Sequence, residues 1–149
     1  MQKLNIAIPQ DAVWILNKLN EGGHEAYIVG GCVRDSILGR MPQDWDITTS
    51  ALPEETKTIF DHTFDTGIKH GTITVVLHHE NYEVTTYRID GEYADCRHPD
   101  EVSFTKKLNE DLLRRDFTMN AIAYHPKEGF RDPFHGQEDI AAGIIRGVG

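Results

Sequence analysis

Cysteine is scarce in this chain: Cys32 and Cys96 stand far apart and form no CxxC pair. That count excludes a zinc ribbon or a disulfide scaffold and leaves two free thiols as the expectation. Long hydrophobic runs are also missing. Stretches such as Val13 to Leu16 and Ala26 to Val29 fall far short of the ~20 apolar residues needed to cross a bilayer, so no membrane protein is expected. The first residues, Met1-Gln2-Lys3-Leu4-Asn5-Ile6, carry neither the basic lead nor the apolar core of a signal peptide, and the expected location is the cytoplasm. Positive charge is in deficit: 15 Lys and Arg against 24 Asp and Glu give a formal net charge of −9, with a sequence pI near 5.3. A polyanion is repelled by such a surface, so any nucleic-acid contact must be local or made by another domain. A small substrate that brings its own cations, such as a nucleoside triphosphate with magnesium, suits an acidic protein because the cation bridges carboxylates and phosphates.

Repeats and low-complexity tracts are absent as well, and glycine and proline punctuate the chain instead of clustering into linkers. One domain is therefore expected, and a chain of 149 residues can bury a real core. Pro9 opens a predicted helix whose apolar face is Ala12, Ile15, Leu16 and Leu19, stopped by Gly22-Gly23. Ala26 to Val29 reads as a short buried strand, Gly30-Gly31 as a tight turn, and Cys32 to Leu38 as a short helix closed by Gly39. Asp44 to Thr48 alternates polar and apolar, which predicts a strand with Asp44, Asp46 and Thr48 on one face and Trp45 and Ile47 on the other. Pro53 to Phe60 reads as helix. Thr72 to His78 and Tyr82 to Tyr87 are β-rich and predict an antiparallel hairpin turning around Glu80-Asn81. Gly91 to Ser103 is polar, contains Pro99 and predicts a mobile loop. Asp111 to Ala123 predicts a mainly helical segment, Asp132 to Gly136 a turn, Gln137 to Ala142 one or two helical turns, and Ile144 to Arg146 a last short strand. The order of elements is α+β.

Asp44 and Asp46 carry the strongest chemical signal. Carboxylates at i and i+2 of a strand converge and call for a cation, and magnesium takes one or two protein carboxylates and completes its shell with water and phosphate oxygens. A solvated strand face would look the same when read alone. Gly30-Gly31 permits close backbone approach, and the helix start behind it offers free N–H groups to phosphate. Arg34 presents a planar fork of donors suited to phosphate, and Asp35 either orients it or favours the helix start. The turn matches neither GxGxxG nor GxxxxGK[ST]. Eight histidines show no HExxH spacing, and His78-His79, adjacent on a predicted strand, would point to opposite faces, so no zinc is expected.

Taken together, Gly30-Gly31-Cys32-Val33-Arg34-Asp35 followed by Asp44-Trp45-Asp46-Ile47 resembles the signature of the nucleotidyltransferase head of class II tRNA CCA-adding enzymes and bacterial poly(A) polymerases. The resemblance continues through Tyr82 to Arg88, Arg97-His98-Pro99-Asp100, Arg114-Arg115-Asp116-Phe117-Thr118-Met119-Asn120-Ala121, Asp132-Pro133-Phe134 and Gly136, and spans roughly residues 26 to 149. It implies a small mixed or antiparallel sheet flanked by helices, the polymerase β-like head. It also implies that Asp44 and Asp46 hold two magnesium ions, and that Gly30, Gly31 and Arg34 meet the incoming triphosphate. Arg115 matches the family arginine that binds the nucleotide, and Asp116 and Asn120 match positions that order the sugar side or brace that arginine. Glu83 is a candidate third catalytic carboxylate, with a purely structural acid as the alternative. The segment Ile89 to Ser103 looks like the family's flexible element.

The implied activity is template-independent nucleotidyl transfer from CTP and ATP to the 3′ end of tRNA. An A-adding enzyme or a poly(A) polymerase head is the near alternative, and a non-catalytic nucleotide- or metal-binding module is the alternative of another class. In the family a neck, body and tail follow the head and hold tRNA. Residues 1 to 149 are therefore expected to be one head domain without those parts.

Overall fold

The structure is a computed structural model that describes residues 6–67, 71–90 and 102–148. Its centre is strand β1 (Ala26–Val29), every residue of which is buried. Alternate side chains explain why. Ala26 and Ile28 face one apolar cluster, while Tyr27 and Val29 face a second, so a strand covered on both sides reads as an unbroken apolar run. Helix α1 (Gln10–Glu21) packs over the first cluster with Ala12, Ile15, Leu16 and Leu19 buried, as their helical spacing predicts. Helix α2 (Gly31–Ile37) adds Cys32 and Val33 to that cluster. Helix α3 (Pro53–Ile59) begins with proline in its first turn, and the Glu55 side chain accepts a hydrogen bond from the Leu52 N–H at 2.9 Å. On the opposite side, α4 (Leu108–Leu113) closes the second cluster with Leu108 and Leu112.

The sheet around β1 contains β2 (Asp46–Thr49), β3 (Thr63–Gly67), β4 (Thr72–Leu77), β5 (Glu80–Thr86), β8 (Ala123–His125) and β9 (Gly129–Arg131), in the order β3-β4-β5-β2-β1-β8-β9. Its ladders are antiparallel except for β2 against β5. This is the expected α+β class with a mixed sheet. A separate ribbon pairs β6 (Arg88–Asp90) with β7 (Val102–Phe104), so both ends of the predicted loop are strands. Residues 91–101, the rest of that loop, lie outside the described residues, as do His70, Cys96, Arg97 and His98.

Several local expectations are corrected. Strand β2 starts at Asp46, and Asp44 precedes it, because β1 ends at Val29, the partner of Asp46, before the chain turns away at Gly30. The hairpin turns at His78-His79, not at Glu80-Asn81: both histidines sit in the left-handed region, with φ of 51° and 68°, and Leu77 faces Glu80. Nothing in a His-His pair announces a two-residue turn that Asn-Gly usually marks. The His78 ring instead bonds Asp11 of α1 at 2.9 Å. The segment from Asp111 to Ala123 is only briefly helical: α4 ends at Leu113, a 3-10 turn covers Thr118–Asn120, and Ala123 begins β8. The Asp116 carboxylate accepts the Phe117 N–H at 2.8 Å, a local bond that competes with helix continuation. Ile144 to Arg146 forms no strand; the tail contributes an isolated bridge between Gly147 and Phe117.

Helix α5 (Gly136–Ala142) fastens the 3-10 turn. The Thr118 hydroxyl donates to Asp139 at 2.6 Å, and Arg146 pairs with the same carboxylate. A Cβ on Gly136 would lie 2.1 Å from the Thr118 carbonyl oxygen. Gly136→Ala is expected to cost at least about 1–3 kcal/mol by overpacking and to lower the thermal midpoint measured by calorimetry. An unchanged midpoint refutes the contact.

His125 supplies a pH dependence. Its Nδ1 accepts the Lys127 N–H at 3.0 Å, so Nε2 carries the proton and donates to Asn20 Oδ1 at 2.9 Å. Burial pushes its pKa below the usual 6.5, helped by Lys127 and opposed by Glu128. The unfolded chain therefore takes up a proton first as pH falls. The stabilisation by neutral His125 is complete above the unfolded value and is lost as pH falls from there through the depressed folded value. Urea midpoints should fall as pH is lowered below about 6.5, and the fall should shrink in His125→Gln; an equal fall in both proteins refutes this assignment.

Candidate active site

The site grows from the register of β2 and β5. Asp46 pairs with Glu83 across their parallel ladder, with Ile47 beside Val84 one step on. Ile47 and Val84 face the first core cluster, so the alternation of each strand sends Asp46 and Glu83 together to the opposite face. Asp44, although not in the strand, lines the same cleft. That cleft, about 560 Å³ in volume, is bounded by Asp44, Trp45, Asp46, Phe64, Thr74, Asn81 and Glu83. Burial pushes the Asp46 pKa above the ordinary carboxylate value, Glu83 and Asp44 push it further, and Arg115 opposes them. Like charges are thus gathered at some cost, which a divalent cation would relieve.

The donor set fits magnesium. Asp44 and Asp46, the two expected ligands, offer hard carboxylate oxygens; among the described residues no group of three or more His, Cys, Asp or Glu side chains is placed to hold a metal ion. An open, oxygen-only wall suits an ion that keeps water and phosphate oxygens in its shell.

A second cluster adjoins this wall on the β1 side. Gly30, at φ 87°, turns the chain out of β1, where a Cβ would sit 3.6 Å from Arg115 Nη1. At Gly31 a Cβ would sit 3.2 Å from Arg34 Nη2. The glycine turn therefore lies against two guanidinium groups. Arg34 donates through Nε to Asp35 Oδ1 at 3.1 Å and through Nη1 to Asn120 Oδ1 at 2.9 Å. Asn120 in turn donates to Asp116 Oδ1 at 3.4 Å. The chain Asp35–Arg34–Asn120–Asp116 joins α2 to the 3-10 turn. Asn120 thus braces Arg34, where the motif reading paired it and Asp116 with the sugar side or with Arg115. Hydrogen bonds from the Phe117 N–H and Asn120 hold the Asp116 carboxyl below its usual pKa.

Arg115 is largely buried. Its Nη2 donates to Asp111 Oδ2 at 3.4 Å, and its Nε is buried without a hydrogen-bond partner among the described residues. Burial lowers its pKa, while Asp111 and Asp46 favour the charged form. Every predicted site residue therefore belongs to one of two adjoining groups: Asp44, Asp46 and Glu83 on the wall, and Gly30, Gly31, Arg34, Arg115, Asn120 and Asp116 beside it.

Sequence reasoning missed Asp111. Its carboxylate is wholly buried and receives Thr48 Oγ1 at 3.2 Å, the Arg88 N–H at 3.1 Å and Arg114 Nε at 3.4 Å, besides Arg115. A signal existed: Asp111 occupies the stripe Leu108, Asp111, Leu112 at i, i+3 and i+4, where an apolar residue is the norm. Phe64 was missed too, because β3 was not predicted; its ring is 63% exposed at the cleft.

Comparison with known proteins agrees with this geometry. The CCA-adding enzyme of Listeria monocytogenes is 56% identical over 138 residues, covering 93% of this chain and 35% of that protein. The CCA-adding enzyme of Geobacillus thermodenitrificans is 55% identical over 140 residues, with 94% and 35% covered. Among solved structures, the Bacillus stearothermophilus CCA-adding enzyme in complex with CTP matches with a TM-score of 0.85 at 50% identity, over 94% of this chain and 33% of that one. The chain thus spans about a third of the length of the curated relatives it matches. Residues 26–146 match the family model described as the poly A polymerase head domain, and the chain belongs to that family.

Proposed function

We propose that this chain is the head domain of a CCA-adding nucleotidyltransferase, transferring CMP and AMP units from CTP and ATP to the 3′ end of tRNA. The observation that carries the reading is the in-register pairing of Asp46 with Glu83 beside Asp44, with Arg115 acting on Asp46 from the adjoining cluster. The names of the relatives support CCA addition over the poly(A) alternative. Growth of the RNA joins its 3′-oxygen to the α-phosphorus, breaks the bond to pyrophosphate and releases the hydroxyl proton.

Asp44 and Asp46 would hold magnesium, two ions in the fuller reading, which lowers the pKa of the attacking hydroxyl and neutralises the departing pyrophosphate. Arg34 and Arg115 bind the triphosphate, the first fixed by Asn120 and Asp35, the second by Asp111. Gly30 and Gly31 keep the backbone bare beside those guanidinium groups. Glu83 faces the acceptor side, completing the carboxylate wall. The cleft on that side is lined by no lysine or arginine among the described residues. It suits the uncharged sugar and base of an acceptor end, with Phe64 as a stacking surface, while the arginine side suits phosphate. Base choice and the main grip on tRNA are assigned to the parts of such proteins that this chain does not span. No described helix is long and apolar enough to cross a membrane, and action in the cytoplasm is part of the proposal.

The reading is tested with labelled CTP and ATP on tRNA ending before CC, on tRNA ending before A, and on an unrelated RNA, alongside magnesium-dependent CTP binding. CTP addition followed by ATP addition supports CCA synthesis; ATP addition alone favours the poly(A) or A-adding reading. Asp44→Ala/Asp46→Ala is expected to weaken magnesium-dependent CTP binding by about tenfold or more, about 1.4 kcal/mol, and unchanged binding overturns the site. Phe64→Ala should raise the acceptor concentration at half-maximal incorporation about five- to tenfold, within the range of one lost base stack, while the CTP affinity stays the same. An acceptor dependence equal to the parent's removes Phe64 from the acceptor side.

A further inference from the structure

We infer that Asp111 is the positioning residue for Arg115, locking the guanidinium beside the glycine turn and tying it to the strand that carries Asp46. This rests on the nucleotidyl-transfer reading above and names a residue that acts through the arginine without touching substrate.

Asp111 is 0% exposed. Aspartate is among the residue types least often found fully buried, and a buried ionic group seldom improves on apolar packing for stability alone. The carboxylate nevertheless accepts hydrogen bonds from four directions. Thr48 comes from β2, the Arg88 N–H from the root of β6, Arg114 from the end of α4, and Arg115 from just beyond it. Thr48 stands two residues after Asp46, so the bond its hydroxyl donates to Asp111 anchors the same strand face that carries the catalytic carboxylate. One buried anion thus spans the two clusters of the site.

The effect on Arg115 follows from the shape of its guanidinium. Asp111 takes Nη2, Nη1 lies beside Gly30, and Nε is enclosed without a partner among the described residues. The Asp111 contact, made through one nitrogen at 3.4 Å, restrains the group before any phosphate arrives, so less rotamer freedom is lost on binding. Asp46 is the other carboxylate acting on Arg115. Without the Asp111 charge, the guanidinium is free to turn toward Asp46 and compete there with a bound cation. Loss of Asp111 should therefore weaken nucleotide binding and also raise the magnesium requirement. A residue that merely supports the fold gives no reason for that second effect.

The test compares this chain with its Asp111→Asn, Arg115→Ala and doubly substituted variants, titrating CTP at several magnesium chloride concentrations, with thermal melts to report folding. Asp111→Asn is expected to weaken CTP binding about tenfold, the size of one charged hydrogen bond, and to shift half-saturation toward higher magnesium. In the Arg115→Ala background the same substitution should change CTP binding less than twofold. Equal losses in both backgrounds, or an unchanged magnesium requirement, overturn the inference. A second measurement needs neither nucleotide nor a folded variant: the Nε–H resonance of Arg115 in the parent chain, followed by NMR. A slowly exchanging Nε–H with hindered guanidinium rotation supports a pinned arginine, and exchange at the rate of free arginine overturns it. If the parent chain binds no CTP with magnesium, the nucleotidyl-transfer reading fails, while the resonance still decides whether Arg115 is held.

Discussion

Asp46 and Glu83 stand side by side across a parallel ladder, and the surrounding structure makes that costly proximity possible. Their register depends on Ile47 and Val84, which fill the core on the other face. A slip of one residue would bury the carboxylates and expose the aliphatic side chains, so the hydrophobic alternation holds the acidic pair in place. Strand β1 supplies the base for this arrangement. Buried on both faces, it pairs with β2 and β8 and ends at Val29 beside Asp46. Where it ends, Gly30 turns the chain into α2, whose Arg34 reaches Asn120.

The distribution of charge reconciles an acidic protein with the anionic substrate proposed for it. The net charge of −9 opposes a broad grip on polyphosphate. In the proposed function two arginines act locally instead, each attached to the scaffold by a carboxylate or an amide. Arg34 is held by Asp35 and Asn120, and Arg115 by Asp111. Preorganised guanidinium groups beside a bare glycine turn can outweigh the overall charge over the few ångströms that matter, because electrostatic interactions strengthen as water is excluded. The 3-10 turn that presents Asn120 depends in turn on Thr118, Asp139 and the space above Gly136.

The parts of the fold that were legible in the sequence share one property: their signal is local. The apolar stripe of α1, the unbroken run of β1, the glycine turn and the alternation around Asp46 each follow from a few adjacent residues. The misreadings share the opposite property. His78-His79 forms the hairpin turn because the strands on either side demand it, with Asp11 of a distant helix as the partner of His78. The segment after Arg115 leaves helical geometry because Ala121, Ile122 and Ala123 are drawn into the two cores beside β1. Asn120 was recognised as a site residue, yet its bond to Arg34 crosses 86 positions of sequence separation and has no local signature.

By itself the sequence determined the α+β class and singled out the paired aspartates, the glycine turn and the arginines that accompany them. These depend on residue type and short spacing, which steric and hydrogen-bonding rules translate directly into local structure. Only the tertiary structure decided that Glu83 faces Asp46, that Asn120 holds Arg34, and that the buried Asp111 links Arg115 to β2. Those relations arise from sheet register and from the burial of charge. Both are settled by which distant segments share a core, a property that no single stretch of sequence contains.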